Sequence, residues 1–234
     1  MELDRKILGF KRVLFHPDIS PHLTFAFIPS RTVVAAPHKV ILKESFSDFA
    51  VLQSMIHEIW ARFNSSTSIE LMRYTPTDCF ETFPFPSGYD LNRTIEQIGR
   101  IYYEFRSELM IRNNEGLTKT YNRLHDPNEQ STDFVKFRNL HDQLDRAILD
   151  AYGWPDIQAK RQFLLDYEED EHDELSPTTK RKPWHFRWTD SIRDEVLARL
   201  LDLNVKRAEE ELLTISATLP EAKGRKNSPK RKIE

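Results

Sequence analysis

Few residues in this sequence have the types and spacing needed to make or break a covalent bond. Its six glycines stand at 9, 88, 99, 116, 153 and 224, and no two are close. A phosphate loop or nucleotide-binding turn needs clustered glycines, so that backbone N–H groups can approach the ligand. No Pro-Pro pair occurs, so the Asn/Asp-Pro-Pro-aromatic motif that presents acceptors and a stacking ring to an extruded base is missing. Pro155-Asp156 resembles the start of a nuclease metal site, but no acid-x-Lys follows within the next thirty residues. Of the eight histidines, His16, His22, His38 and His57 do not pair at helical metal-ligand spacing. His141, Asp142 and Asp145 fall on one predicted helix, with His141 and Asp145 on one face. A half-exposed, hydrogen-bonded helix surface is the expectation there. His125-Asp126-Pro127 reads as a loop turn, since a residue before proline is driven out of helix.

The remaining chemistry is non-covalent. Arg31, His38, Lys39, Arg62, Asn64, Ser65, Ser66 and Arg73 are polar residues in or near predicted loops of residues 1–89. They offer directional donors and cationic charge. Lys119, Tyr121, Asn122 and Arg123 form a second polar cluster, read as a structural connector rather than a ligand-contacting turn. His57, Glu58 and Arg62 read as surface partners on one helix. Phe80, Phe83 and Phe85 lack polar handles and read as core anchors. Trp60 is likewise expected in the core, and Tyr152 and Trp154 are expected to staple a helix end to its neighbour.

The elements that must position these groups are of two kinds. The first 45 residues read as strands around Ile7–Phe15, Leu23–Ile28 and Lys39–Leu42, punctuated by Pro17, Pro21, Pro29 and Pro37. The spacing of Phe49, Leu52, Ile56, Ile59 and Phe63 predicts one helix over 47–63, capped by Ser47. An extended piece at 69–74 leads to CFETFPFP at 79–86, expected as a non-helical aromatic loop. Leu91, Ile95, Ile98, Tyr102, Phe105 and Leu109 predict a long helix. A connector with Gly116 and Pro127 follows. Phe137, Leu140, Leu144, Ile148 and Ala151 predict another helix, stopped near Gly153. A last helix is expected over 191–213, with Ser191 and Asp194 resembling a capping box.

The fold class expected is therefore α+β. A mixed α/β unit occupies 1–89 and a helical unit 90–215, with an acidic linker at 166–183 and a disordered basic tail at 216–234. The whole chain, 234 residues with 37 acids and 34 Lys plus Arg, has a formal net charge of −3. Residues 1–89 balance nine acids against nine bases, whereas 166–174 hold seven acids and the last 14 residues six bases. Any polyanion contact must then come from local arrangement and not from a strong overall field. The single cysteine, Cys79, excludes an internal disulfide and fits a reducing compartment. No signal peptide and no run of roughly 18 apolar residues is present, so a cytoplasmic protein without membrane contact is expected.

Several segments carry a resemblance. They are LTFAFIPS at 23–30, HEIWARF at 57–63, RYTPTDCFETFPFP at 73–86, LTKTYNRLHDP at 117–127 and LDRAILDAYGWPD at 144–156. In order and spacing, over roughly residues 5–160, they resemble the C-terminal portion of large single-chain adenine DNA methyltransferases, similar to the type IIL (MmeI-like) restriction–modification enzymes. The resemblance implies that 1–89 is the later part of a DNA target-recognition domain and that 90–215 is the helical domain packed on it. It implies double-stranded DNA as partner, and S-adenosylmethionine as the cofactor of the fuller enzyme but of no residue here. Because the methyltransferase motifs are absent, a split or truncated gene is expected, with a catalytic chain encoded nearby. On this reading Arg31, His38, Lys39, Arg62, Asn64, Ser65, Arg73 and Lys119 are the DNA-contact candidates, arginine suiting guanine edges and the others phosphate or sugar. A protein-interaction module without a DNA role, or a gene remnant, is the alternative.

Overall fold

The computed structural model describes residues 7, 9–65, 67–68, 71–165 and 184–218, with the side chains of 67–68 and 215–218 excepted. The expected acidic linker and basic tail lie outside the described residues, save for the backbone of 216–218. The fold is α+β: two small antiparallel sheets and two helices are followed by a mainly helical part.

Strand β1 (Arg12–Pro17) is central in the first sheet, between β3 (Ala26–Pro29) and β4 (His38–Ile41). Val13 pairs with Ile28, and Phe15 pairs with both Ala26 and Val40, so the inward Leu14 is fully buried. The second sheet joins β2 (Ile19–Ser20) to β6 (Leu71–Arg73) and β5 (Thr67–Ser68). Here Ser20 and Met72 face inward while Ile19, Leu71 and Arg73 face outward, as strand alternation requires.

The helix expected over 47–63 is two helices, α1 (Phe46–Gln53) and α2 (Met55–Asn64). Ser54 breaks them. Its backbone is extended, its hydroxyl donates to the Val51 carbonyl at 2.7 Å, and it accepts from the His57 N–H at 3.3 Å. A serine that can bond the backbone locally competes with helix continuation. The break shifts the helical phase, so Phe63, placed on the buried stripe by spacing, is 55% exposed. The N-cap is Ser45 and not Ser47, with a reciprocal capping box to Asp48. Ser47 is buried, its N–H given to Glu96 at 2.8 Å. A π-helical turn, Pro76–Phe80, takes in the first two residues of the loop expected at 79–86, and 81–86 are non-helical as expected.

Asn92 caps α3 (Arg93–Asn113), accepting from the N–H groups of Thr94 and Ile95. Leu91 therefore lies before the helix, in a short 3-10 turn, and is 84% exposed. The connector after α3 contains α4 (Leu117–Leu124). Helix α5 (Thr132–Ala151) ends as expected, with Gly153 at φ 74° and the Trp154 N–H returned to the Leu149 carbonyl. A hairpin of β7 (Gln162–Leu165) with β8 (Trp184–Arg187) was not expected. The last helix, α6, runs Asp190–Thr218, so Ser191 lies inside it and does not cap it. Among the described residues no helix is long and apolar enough to cross a membrane.

One hydrophobic core runs from Leu14 to Leu200 and crosses residues 89 and 90 without interruption. Phe83 and Trp60 belong to it, and Phe80 and Phe85 pack on its edge. Tyr152 and Trp154 stack at 4.5 Å, and the Tyr152 hydroxyl donates to the Pro84 carbonyl at 2.9 Å, fastening the end of α5 to the aromatic segment.

Candidate nucleic-acid interface

The interface is built on a polar frame inside the molecule. Arg106, fully buried on α3, has no carboxylate partner among the described residues. It donates to the Phe25 carbonyl at 2.6 Å, to Gln53 Oε1 at 3.2 Å and to the Tyr121 hydroxyl at 3.2 Å. Burial lowers its affinity for a proton, but the surrounding tyrosine hydroxyls outweigh that and keep it a cation. Gln53 in turn accepts from the Phe25 N–H at 3.0 Å and donates to the Leu23 carbonyl at 2.9 Å. The irregular stretch 23–25 is thus locked from both sides, and it sets where β3 and the loop beyond it begin.

His141 and Asp145 belong to this frame. Both are buried, against the expectation of a half-exposed helix surface, because α5 sits under the first unit instead of at the edge of the molecule. Tyr102 bonds both His141 and Tyr121. Asp145 accepts the Met55 N–H at 2.9 Å and two bonds from Arg161 at 2.8 and 3.1 Å. His57 is also buried, with Nε2 3.0 Å from the Tyr74 hydroxyl, and so is no surface partner of Arg62. In the second polar cluster Tyr121 is buried, Asn122 bonds His22 at 2.7 Å and Arg123 bonds Glu115 and Glu129, which is the connector role expected of it.

On the outer side, the loop from Ser30 to Pro37 projects between β3 and β4. Its base is held by the Ser30 N–H to the Lys11 carbonyl at 3.2 Å and by the Asp18 N–H to the Pro37 carbonyl at 2.8 Å. Arg31 is exposed on it, with no side-chain partner among the described residues, beside Val33 at 95% exposure. His38, at the far end, stacks on Phe15 at 4.9 Å and bonds the Ala35 carbonyl at 2.8 Å.

Lys39 and Arg73 come from different sheets and meet at one acid that the sequence reading did not single out. Lys39 Nζ lies 2.8 Å from Asp18 Oδ1, and Arg73 Nε lies 3.8 Å from Oδ2. The lysine hydrogen bond, more than any other cause, holds the Asp18 carboxyl below the usual carboxylate range. The Asp18 carbonyl also accepts the Tyr74 N–H at 2.9 Å. Residue type alone could not reveal Asp18, since a search for anion contacts looks for cations.

The other candidates are more occupied. Arg62 pairs with Glu58 at 2.7 Å and reaches the Pro21 carbonyl, Asn64 bonds the Trp60 carbonyl at 2.9 Å, and Ser65 bonds the Arg62 carbonyl at 3.3 Å. These three finish α2. Ser66 lies outside the described residues. Lys119, on α4, is 70% exposed in its side chain and pairs with Glu115 at 3.3 Å.

Residues 18–87 match the family model described as the MmeI target recognition domain. The matched segment holds Asp18, the projecting loop and Arg73. A solved structure, the type IIL restriction-modification enzyme MmeI in complex with DNA, shares the fold over 85% of this chain at a TM-score of 0.56 and 18% identity. The chain spans 22% of the length of that MmeI chain. The resemblance to the MmeI-like enzymes drawn from the sequence segments is upheld. No curated protein matches the chain.

Proposed function

We propose that this chain supplies DNA sequence recognition to a restriction–modification enzyme. The observation that carries this reading is that the recognition-domain match, residues 18–87, contains seven of the eight candidate contacts: Arg31, His38, Lys39, Arg62, Asn64, Ser65 and Arg73. Arg31 and Arg73 are the two that exposure and weak pairing leave freest for a base edge or a phosphate. Lys39, His38 and the end of α2 hold register beside them. Lys119 lies outside the match and is a phosphate contact in this scheme.

The fuller activity is adenine methylation with S-adenosylmethionine, performed by a catalytic part this chain lacks and encoded nearby. The setting is bacterial, cytoplasmic and directed against phage. The residues here read the duplex and transfer nothing.

Titration of the purified chain with duplex DNA, over roughly 50 to 200 mM salt, tests the reading. Log K should fall linearly with log salt at a slope of about −0.9 per neutralised phosphate. The Arg31→Ala/Arg73→Ala variant should bind several-fold more weakly and lose about one to two such contacts. Mixed with a cognate methyltransferase chain, the protein should alter which sites are methylated. Duplex binding that is undetectable, or indifferent to both arginines, would falsify it.

A further inference from the structure

Asp18 has four attachments, and each leads to a different part of the proposed reading surface. Its N–H ties the Pro37 end of the projecting loop and its carbonyl ties the start of the segment after β6. Its carboxylate holds Lys39 closely and Arg73 loosely. The carboxylate is itself mostly buried, so it depends on these cations in place of water. Arg73, by contrast, is 62% exposed in its side chain, and 3.8 Å is beyond hydrogen-bond length. It faces outward from β6 between Ile19, its cross-strand partner, and Leu71, both exposed. A guanidinium held this weakly beside aliphatic neighbours is free to leave for a stronger partner, whereas Lys39 is not.

Resting on the DNA-recognition reading, we propose that Asp18 is the positioning residue of that surface. It restrains Lys39 and Arg73 so that they do not grip phosphate indiscriminately, and Arg73 is released only where the duplex offers a better bond. The negative charge thus lowers general affinity and raises discrimination. A carboxylate serving only to hold the fold together would do neither.

The test uses the full chain, a pool of random-sequence duplexes and a salt series. Asp18→Asn should bind the pool several-fold more tightly, steepen the salt slope by about 0.9 for each cation set free, and flatten the sequence enrichment shown by the unmodified chain. Adding Arg73→Ala should remove part of the extra slope. If Asp18 only supports the fold, Asp18→Asn melts lower and weakens binding to every duplex. Should that variant not fold, Asp18→Glu keeps the charge but displaces both cations, and should lose enrichment with the slope unchanged. An unmodified chain that binds no duplex overturns the recognition reading and this proposal together. An unmodified chain that enriches sequences, with an Asp18→Asn or Asp18→Glu variant that enriches them equally, overturns the role of Asp18 alone.

Discussion

Histidines make up much of the buried polar frame, and they couple the fold to pH. His16 donates its Nδ1–H to the Thr24 carbonyl at 2.8 Å, and burial pushes its pKa down to about 4. His57 is pushed down to about 3 for the same reason. Burial also lowers His22, His125 and His141. His125 lies between His22 at 5.0 Å and His185 at 4.9 Å, so a proton on one ring opposes a proton on the next. The sign follows from linkage. In the unfolded chain each histidine takes a proton near pH 6.5, while in the fold it stays neutral, so stability is complete above that pH and drains as pH falls towards the folded values. Each such histidine costs about 1.4 kcal/mol per pH unit in that window. Two carboxyls act the other way: burial raises Asp142 to about 6 and also raises Asp145, so the fold takes those protons before the unfolded chain does. They offset at most two of the five lowered histidines, and more than one remains. Denaturant unfolding at pH 7, 6 and 5 should therefore give stability falling by at least about 1.4 kcal/mol per unit. Equal stability at pH 7 and 5 would show that the rings accept protons inside the fold.

At the scale of elements, the placement of α1 on α3 is decided by one missing methyl group. A Cβ built on Gly99 would overlap the Phe46 carbonyl oxygen and stand 3.0 Å from the Ala50 Cβ. Backbone at the crossing cannot move aside as a side chain can. Gly99→Ala should cost about 1–3 kcal/mol and lower Tm by about 2–4 °C for each of them. Gly9→Ala, with nothing within 4 Å of the added group, is the control and should change Tm little. An unchanged melt for Gly99→Ala would mean that the two helices can part without cost. What could be read from the sequence divides along similar lines. The stripes of α3 and α5 were legible because apolar residues recur at helical spacing over many turns. Helix α4 was not, since only Thr120, Tyr121 and Leu124 of its eight residues are buried and the rest look like a polar loop. The break at Ser54 was hidden because the apolar spacing runs straight through it. Arg31 and Arg73 were legible as polar residues near turns. Their relation to Asp18 was not, because it exists only where β1, β4 and β6 come together.

At the scale of the whole molecule, the change of character near residue 90 marks a change of secondary structure without a gap in the core. Side chains of the helical part satisfy the backbone of the first part. Glu96 accepts from Ser47 N–H at 2.8 Å, Tyr103 from Phe27 N–H at 3.1 Å, and Asp145 from Met55 N–H at 2.9 Å. Phe49 and Tyr102, both completely buried, face each other across the junction at 5.9 Å. A fragment ending at residue 92 would return Phe49, Leu52, Ile56 and their neighbours to water, at about 1.5–3 kcal/mol for each large side chain. Three or four such losses approach the whole stability of an ordinary domain, about 5–15 kcal/mol. The full chain should consequently melt in one calorimetric transition, and the 1–92 fragment should show none. Two transitions in the full chain, with a cooperative melt of the fragment, would instead make 1–89 a unit that stands by itself. If the single transition holds, the reading surface takes its shape from Arg106 and Asp145 as much as from its own strands. Changes in the helical part, far from any duplex contact, should then alter which sequences are bound.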